Sequence, residues 1–353
     1  MTKTRKKNLI GIAKILAFLL VFVLLLDVLS KMVFTVNDAA KYNNKYSNAY
    51  SYMLEPENTI QAAAFGNSDL YSAIAPTVAW EAAGVTTTNI SSPLQSIRQS
   101  YLMLQQFLEK QHPEVVVIET DMLYEHQPDR YRDYSAEQEE KAIEKFFDKT
   151  DPDMIDDYIK NQFSIFVFHD KWKVPFKSKK SAERDLYSHG YHLSLKVKPF
   201  EPSDYMAPSE YCDRMEYSEN NSMQAILTLC KEKGIKVLLM EVPSVNSWSY
   251  ERSNAMREYA DENGIDFLDF NLLWDELGID PSHDFRDYGN HMNYYGAQKV
   301  SAYYGRYLAE HYGLEDRRGN PDYAFWEESV EQFAIAVQKD EEDKKNNPDK
   351  DEN

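Results

Sequence analysis

The stretch Ala62-Ala63-Ala64-Phe65-Gly66-Asn67-Ser68-Asp69-Leu70 narrows the possible folds of this chain more than any other. From residue 59 to 65 the side chains are small and mostly apolar at successive positions. That is the pattern of a strand covered on both faces. Such strands belong in a parallel sheet with helices on either side. Gly66 turns the chain without a Cβ. Ser68 is then left just past the strand's carboxyl end, where open α/β sheets hold their chemistry. No helix is expected to start at once, and Pro76 suits the first position of the next one, over residues 76–83. Taken alone, Ser68 is an ordinary turn residue, because Gly, Asn, Ser and Asp dominate turns.

The rest of the chain supplies the other strands. Residues 85–90 predict a short strand, and residues 94–110 a helix with Ile97, Tyr101, Leu104 and Leu108 on one face. His112-Pro113 ends that helix, and Val115-Val116-Val117-Ile118 is a third buried strand. The alternation stops at about residue 124 and resumes at 221. The stretch between reads as an insertion or cap, with a helix at 137–147 and an apolar run, 163–168, that fits a strand or one face of a helix. Then follow a helix to Lys233, a strand at 237–240, a helix at 251–262 closed by Asn263-Gly264, and a strand at 265–268. Asn293 caps a helix over 294–311, and 321–337 predicts an added helix packed through Trp326, Val330, Phe333 and Val337. Strands alternating with helices give an α/β domain with a mostly parallel, five-stranded sheet.

The N-terminus carries a different signal. A basic cluster, Lys3 to Lys7, precedes a nearly unbroken apolar run over about residues 9–29, long enough to cross a membrane. Lys14 and Asp27 sit where they reach toward the interfaces. A cleaved signal peptide is the rival, but no Ala-x-Ala site follows. The reading is an uncleaved single-pass anchor in the cell membrane, its basic end cytoplasmic and everything from about residue 35 outside. The chain thus divides into a tip and anchor (1–34), an Asn-, Tyr- and Ser-rich stalk or surface wrap (35–58), the domain (59–338, cap at about 124–220) and a disordered acidic tail (339–353). The net charge of −19 argues against binding nucleic-acid backbones, which need basic stripes. Cys212 and Cys230 either pair outside the membrane or remain thiols, Cys230 on an apolar helix face. They are too few for a zinc motif, and His189 and His192 have no neighbouring ligand to complete one, so no metal is expected. No glycine-rich phosphate loop follows the first strand, and no cofactor is expected.

A second motif gives Ser68 its meaning: Asp284-Phe285-Arg286-Asp287-Tyr288-Gly289-Asn290-His291-Met292-Asn293. A serine after the first strand and an Asp…His pair after the fifth resemble the SGNH (GDSL-like) hydrolase superfamily. The resemblance implies a three-layer, flavodoxin-like domain, with Ser68 as nucleophile, His291 as base and Asp287 orienting it. In that superfamily the acid stands three residues before the histidine. Here Tyr288 holds that place and Asp287 lies four before, with Asp284 as fallback. The resemblance also implies oxyanion donors: Ser91 or Ser92 after the second strand, with Asn89 steering the turn. After the third strand an Asn is expected, but Asp121 stands there. His169, in the cap, is a candidate sugar contact. With the anchor, the chain is most similar to the branch that assists teichoic acid D-alanylation or acetylates polysaccharides. That implies O-acyl transfer or ester hydrolysis on a cell-envelope glycan, beside a multi-span membrane O-acyltransferase. The alternative is a non-catalytic accessory that docks such a transferase or binds polymer.

Overall fold

In a computed structural model, which describes residues 3–34, 48–124, 159–160, 162–169, 187–215 and 217–346, the chain folds around one five-stranded sheet. The strands are β1 (Ala62–Gly66), β2 (Thr87–Ser91), β3 (Val115–Glu119), β4 (Lys236–Glu241) and β5 (Asp266–Asp269). All pair in parallel, in the order β2-β1-β3-β4-β5. The winding direction reverses between β1 and β3, so a crevice opens at the carboxyl ends of those two strands.

The helices are α1 (Lys3–Met32), α2 (Ser68–Ala73), α3 (Pro76–Ala83), α4 (Ile97–Phe107), α5 (Ile165–Phe168), α6 (Tyr217–Lys233), α7 (Tyr250–Asn263), α8 (Trp274–Leu277), α9 (Tyr294–Tyr312) and α10 (Ala324–Asn346). Successive strand residues serve opposite faces. Ala62, Ala64, Val115, Val117 and Leu238 meet Leu70, Ala79, Val300 and Tyr304 from α2, α3 and α9. Ala63, Phe65, Val116, Ile118 and Leu239 meet Leu104, Phe107, Met223, Ile226 and Met256 from α4, α6 and α7. Strand β2 is polar yet wholly buried, and several of its side chains find partners inside. The Asn89 amide donates to the Ile74 carbonyl at 2.7 Å, and Thr88 donates to the His189 carbonyl at 3.2 Å.

The sequence misplaced several boundaries. A helix does begin at Ser68: Asn67 caps it, accepting the Asp69 N–H at 2.8 Å. Gly66 is needed for this close return rather than for its dihedrals, since a Cβ there would stand 2.6 Å from Leu70 Cβ and 2.9 Å from Glu119 Cβ. The segment assigned to a stalk is in part core. Asn48–Leu54 forms a 3₁₀ turn whose Tyr52 ring meets Phe107 edge-on at 4.9 Å, and Tyr50 meets Phe168 at 5.4 Å. The apolar run at 163–168 is helical, as α5, and the helix expected at 137–147 lies outside the described residues. Helix α10 continues through residues 339–346, which the sequence assigned to a disordered tail. Glu and Lys favour helix, and the Lys344 ammonium reaches back to the Leu195 carbonyl at 2.5 Å.

Two fastenings lie away from the site. His189 Nδ1 stands 3.0 Å from Glu55 Oε1, both side chains fully enclosed, and the imidazole stacks on Trp326 at 3.7 Å. This joins the residues before β1, the end of the inserted stretch and α10. The second fastening concerns α1. Lys7–Met32 spans 26 residues, with a window of 18 residues at mean hydropathy 3.0, long and apolar enough to cross a membrane. Its end is tied to α5, where Ser164 Oγ donates to the carbonyls of Ser30 and Phe34 at 3.1 and 2.6 Å. Both cysteines are free thiols: Cys212 is exposed, and burial pushes the Cys230 thiol up to about 12.

Candidate functional site

The site forms where α2 leaves β1 and the loop between α8 and α9 folds back over the sheet's carboxyl rim. An isolated antiparallel bridge, Phe285 to Met292, pins that loop. Its tip carries Tyr288 and Gly289, both left-handed, at φ 63° and 94°. For tyrosine this conformation is uncommon and strained. Two left-handed residues in succession curl the loop, so an acid four residues before His291 still reaches it. Asp287 Oδ1 accepts the His291 backbone N–H at 2.6 Å, and Oδ2 meets Nδ1 at 2.5 Å. Asp284, the fallback, is buried elsewhere: it binds Lys299 Nζ at 2.6 Å and accepts the Asp280 N–H at 2.8 Å.

An ionised carboxylate only accepts, so Nδ1 carries the hydrogen and Nε2 points its lone pair toward α2. There it faces Asp69 Oδ1 at 3.4 Å. This is a close approach without a hydrogen bond, and among the described residues Asp69 Oδ1 has no hydrogen-bond partner. Burial, with the charge of Asp121 added, raises the Asp69 carboxyl to about 7. Ser68 precedes Asp69 at the first position of α2 and is half-buried. Burial would raise Asp287 as well, but hydrogen bonds from His291 and the charges of His291 and Arg286 overcome it and hold Asp287 below its usual value.

Behind Asp69 lies a group of buried acids that the sequence reading missed. Strands β3, β4 and β5 each end on one: Glu119, Glu241 and Asp269, with Asp121 just beyond β3. Burial raises Asp121, Glu241 and Asp269 alike. The recurring signal, an apolar run closed by an acid, was visible in the sequence. Carboxylate oxygens of Asp69, Glu119 and Asp121 lie within 4.8 Å of one another, a spacing that a cation can fill. All three already have protein donors, the Ser247 hydroxyl donating to Asp69 at 3.3 Å. The Asn67 amide donates to Asp121 at 2.9 Å, the Asn67 N–H donates to Glu119 at 3.2 Å, and an Arg252 nitrogen stands 3.5 Å from Asp121. Arg252 offsets part of this charge, and burial favours the protonated forms of Asp69 and Asp121.

The remaining candidates are placed less closely. Asn89 is committed to the Ile74 carbonyl and Asp121 accepts from Asn67, so neither side chain is placed as an oxyanion donor. Ser92 Oγ bonds Gln95 at 3.1 Å. Ser91, paired with Gly66 across the sheet, is buried, and among the described residues nothing hydrogen-bonds its hydroxyl. His169 does not join the site. It is exposed at the end of α5, beside Phe168, which packs on the other face of the sheet from Phe285 and Met292. Asp170 and Trp172 lie outside the described residues.

Asp69 makes stability depend on pH in a definite direction. Its folded value, about 7, lies above the ordinary 3.8. The folded state therefore holds a proton that the unfolded chain has lost, and stability falls as pH rises through 7. Asp69→Asn is expected to flatten the drop in melting temperature between pH 5 and 8, read by calorimetry. Asp121, His291, Ser247 and Asp287 surround the carboxyl, and Asp121, Glu241 and Asp269 leave the variant a residual slope. An unchanged slope in Asp69→Asn rejects this assignment.

No protein-family model matches the chain, and no curated protein is detectably similar to it.

Proposed function

We propose that this chain is a serine-dependent acyl-transferring enzyme of the SGNH type. In this reading α1 anchors it in the cell membrane, and the domain works outside on acyl esters of a cell-envelope glycan or teichoic acid, beside a multi-span O-acyltransferase. The observation that carries the reading is the Asp287–His291 pair brought to the first turn of α2, where Nε2 stands 3.4 Å from Asp69, the residue after Ser68. Supporting it are the strand order, whose switch point lies at that turn, and a flavodoxin-like arrangement of helices on both faces.

A serine hydroxyl is a weak nucleophile until a base takes its proton. Here Ser68 Oγ attacks the acyl carbonyl, Nε2 of His291 takes the proton, and Asp287 stabilises the imidazolium. The imidazolium returns the proton to the leaving alcohol. The acyl-enzyme is then resolved by a sugar hydroxyl or by water. The reading requires Nε2 to exchange Asp69 for the Ser68 hydroxyl when the acyl group arrives.

A fluorophosphonate probe added to the full chain in detergent tests the proposal. Labelling mapped to Ser68, and lost in both Ser68→Ala and His291→Ala, is the expected result. Equal labelling of all three proteins, or none, rejects the enzyme and leaves the accessory role.

A further inference from the structure

The side-chain oxyanion donor that the resemblance would place after β3 is not there, because Asp121 accepts rather than donates. The reaction nonetheless puts negative charge on the carbonyl oxygen within about 2.5 Å of Ser68 Oγ, and that charge needs donors. We propose that Tyr71 is a catalytic residue that donates its hydroxyl hydrogen to this oxyanion, with the Arg286 guanidinium positioned behind the phenol.

Three observations carry this. Tyr71 stands three residues after Ser68 on α2, the spacing that stacks side chains on one helix face. Its backbone is held in place, since the His192 N–H donates to the Tyr71 carbonyl at 2.8 Å and the two rings lie 5.6 Å apart. The Arg286 side chain and the Ser68 hydroxyl both lie close enough to the phenol to favour its ionised form. Arg286 belongs to the same loop as the base. Its N–H donates to the His291 carbonyl at 3.0 Å, and its Nε lies 4.0 Å from Asp287 Oδ2. One loop thus delivers base, orienting acid and a cation to the first turn of α2. Burial raises the phenol, while Arg286 and the Ser68 hydroxyl act the other way. The group stays a neutral donor at neutral pH and is polarised by the nearby cation.

The step balances without a cofactor. Ser68 Oγ bonds the acyl carbon, its proton moves to Nε2, and the carbonyl π pair moves onto the oxygen that Tyr71 hydrogen-bonds. Collapse returns the pair and expels the alcohol.

This inference rests on the proposed Ser68 chemistry, and the experiment separates the two. The full chain in detergent is assayed with p-nitrophenyl acetate, beside Ser68→Ala, Tyr71→Phe, Arg286→Gln and Arg286→Lys. Tyr71→Phe is expected to lose about 10²–10³ in kcat with KM unchanged. It should lose affinity for a trifluoromethyl ketone, which forms the oxyanion, by a comparable factor. Arg286→Gln is expected to move the alkaline limb of the pH–rate profile upward, because the phenol then ionises later, and Arg286→Lys to restore part of the shift. Tyr71→Phe keeps the ring, so a folded variant with wild-type kcat and ketone affinity overturns the inference. The Ser68 reading survives that result if Ser68→Ala is silent. Wild-type turnover that does not need Ser68 overturns both.

Discussion

Asp287→Asn is expected to slow ester turnover by about 10³–10⁴-fold while leaving the fold intact. The argument lies in how the two carboxylate oxygens are used. Oδ1 holds the His291 backbone N–H at 2.6 Å, and Oδ2 faces Nδ1 at 2.5 Å. An asparagine that keeps the backbone bond with its oxygen must present its NH₂ to Nδ1. Nδ1 then accepts, the ring hydrogen moves to Nε2, and the atom that should take the serine proton already carries one. Asp284→Asn gives the control. Its partners are Lys299, His283 and the Asp280 N–H, so turnover should change through stability alone. The measurement is kcat/KM for p-nitrophenyl acetate beside the melting temperature. A near-wild-type rate in Asp287→Asn means that this pair does not act in catalysis.

His189→Ala is expected to destabilise the protein by about 3–5 kcal/mol, the usual cost of breaking a buried, hydrogen-bonded pair from one side. The Glu55 carboxyl would remain enclosed, and among the described residues Oε2 already lacks a hydrogen bond and Oε1 would lose its one partner. Trp326 would lose the ring stacked flat upon it at 3.7 Å. Urea denaturation of His189→Ala, Glu55→Ala and the double variant measures the effect. The double variant should cost clearly less than the sum of the singles, because the stranded partner is removed with its mate. Additive costs show that the two side chains contribute separately.

The core of the fold was legible because period and length agreed. Val115 to Ile118 and Val237 to Met240 are too short and too uniformly apolar for surface helices, and the Pro76, Gly264 and Asn293 signals fall at real helix ends. What escaped the reading was tertiary. Asn67 was read as a turn residue, though its side chain caps a helix of only six residues, too short to show a period. The tyrosines before β1 looked like wet surface because nothing local shows that Phe107 and Phe168 wait for them. At the site, the pairing of Asp287 with His291 was legible in the sequence, and the structure brings those two together. The approach of His291 to Asp69 was not, because only the loop laid across α2 creates it. His169 was drawn in by its aromatic neighbours, although its helix belongs to the other side of the sheet.

The curl at Tyr288 and Gly289 has a consequence for how such pairs are recognised. The acid and the base are matched by where their atoms arrive, and the count of residues between them is free to change when the intervening turn takes up the slack. A pattern written with a fixed interval passes over this chain. A template in space, asking only for a carboxylate on one nitrogen of an imidazole and the first turn of a helix beside the other, would still find it.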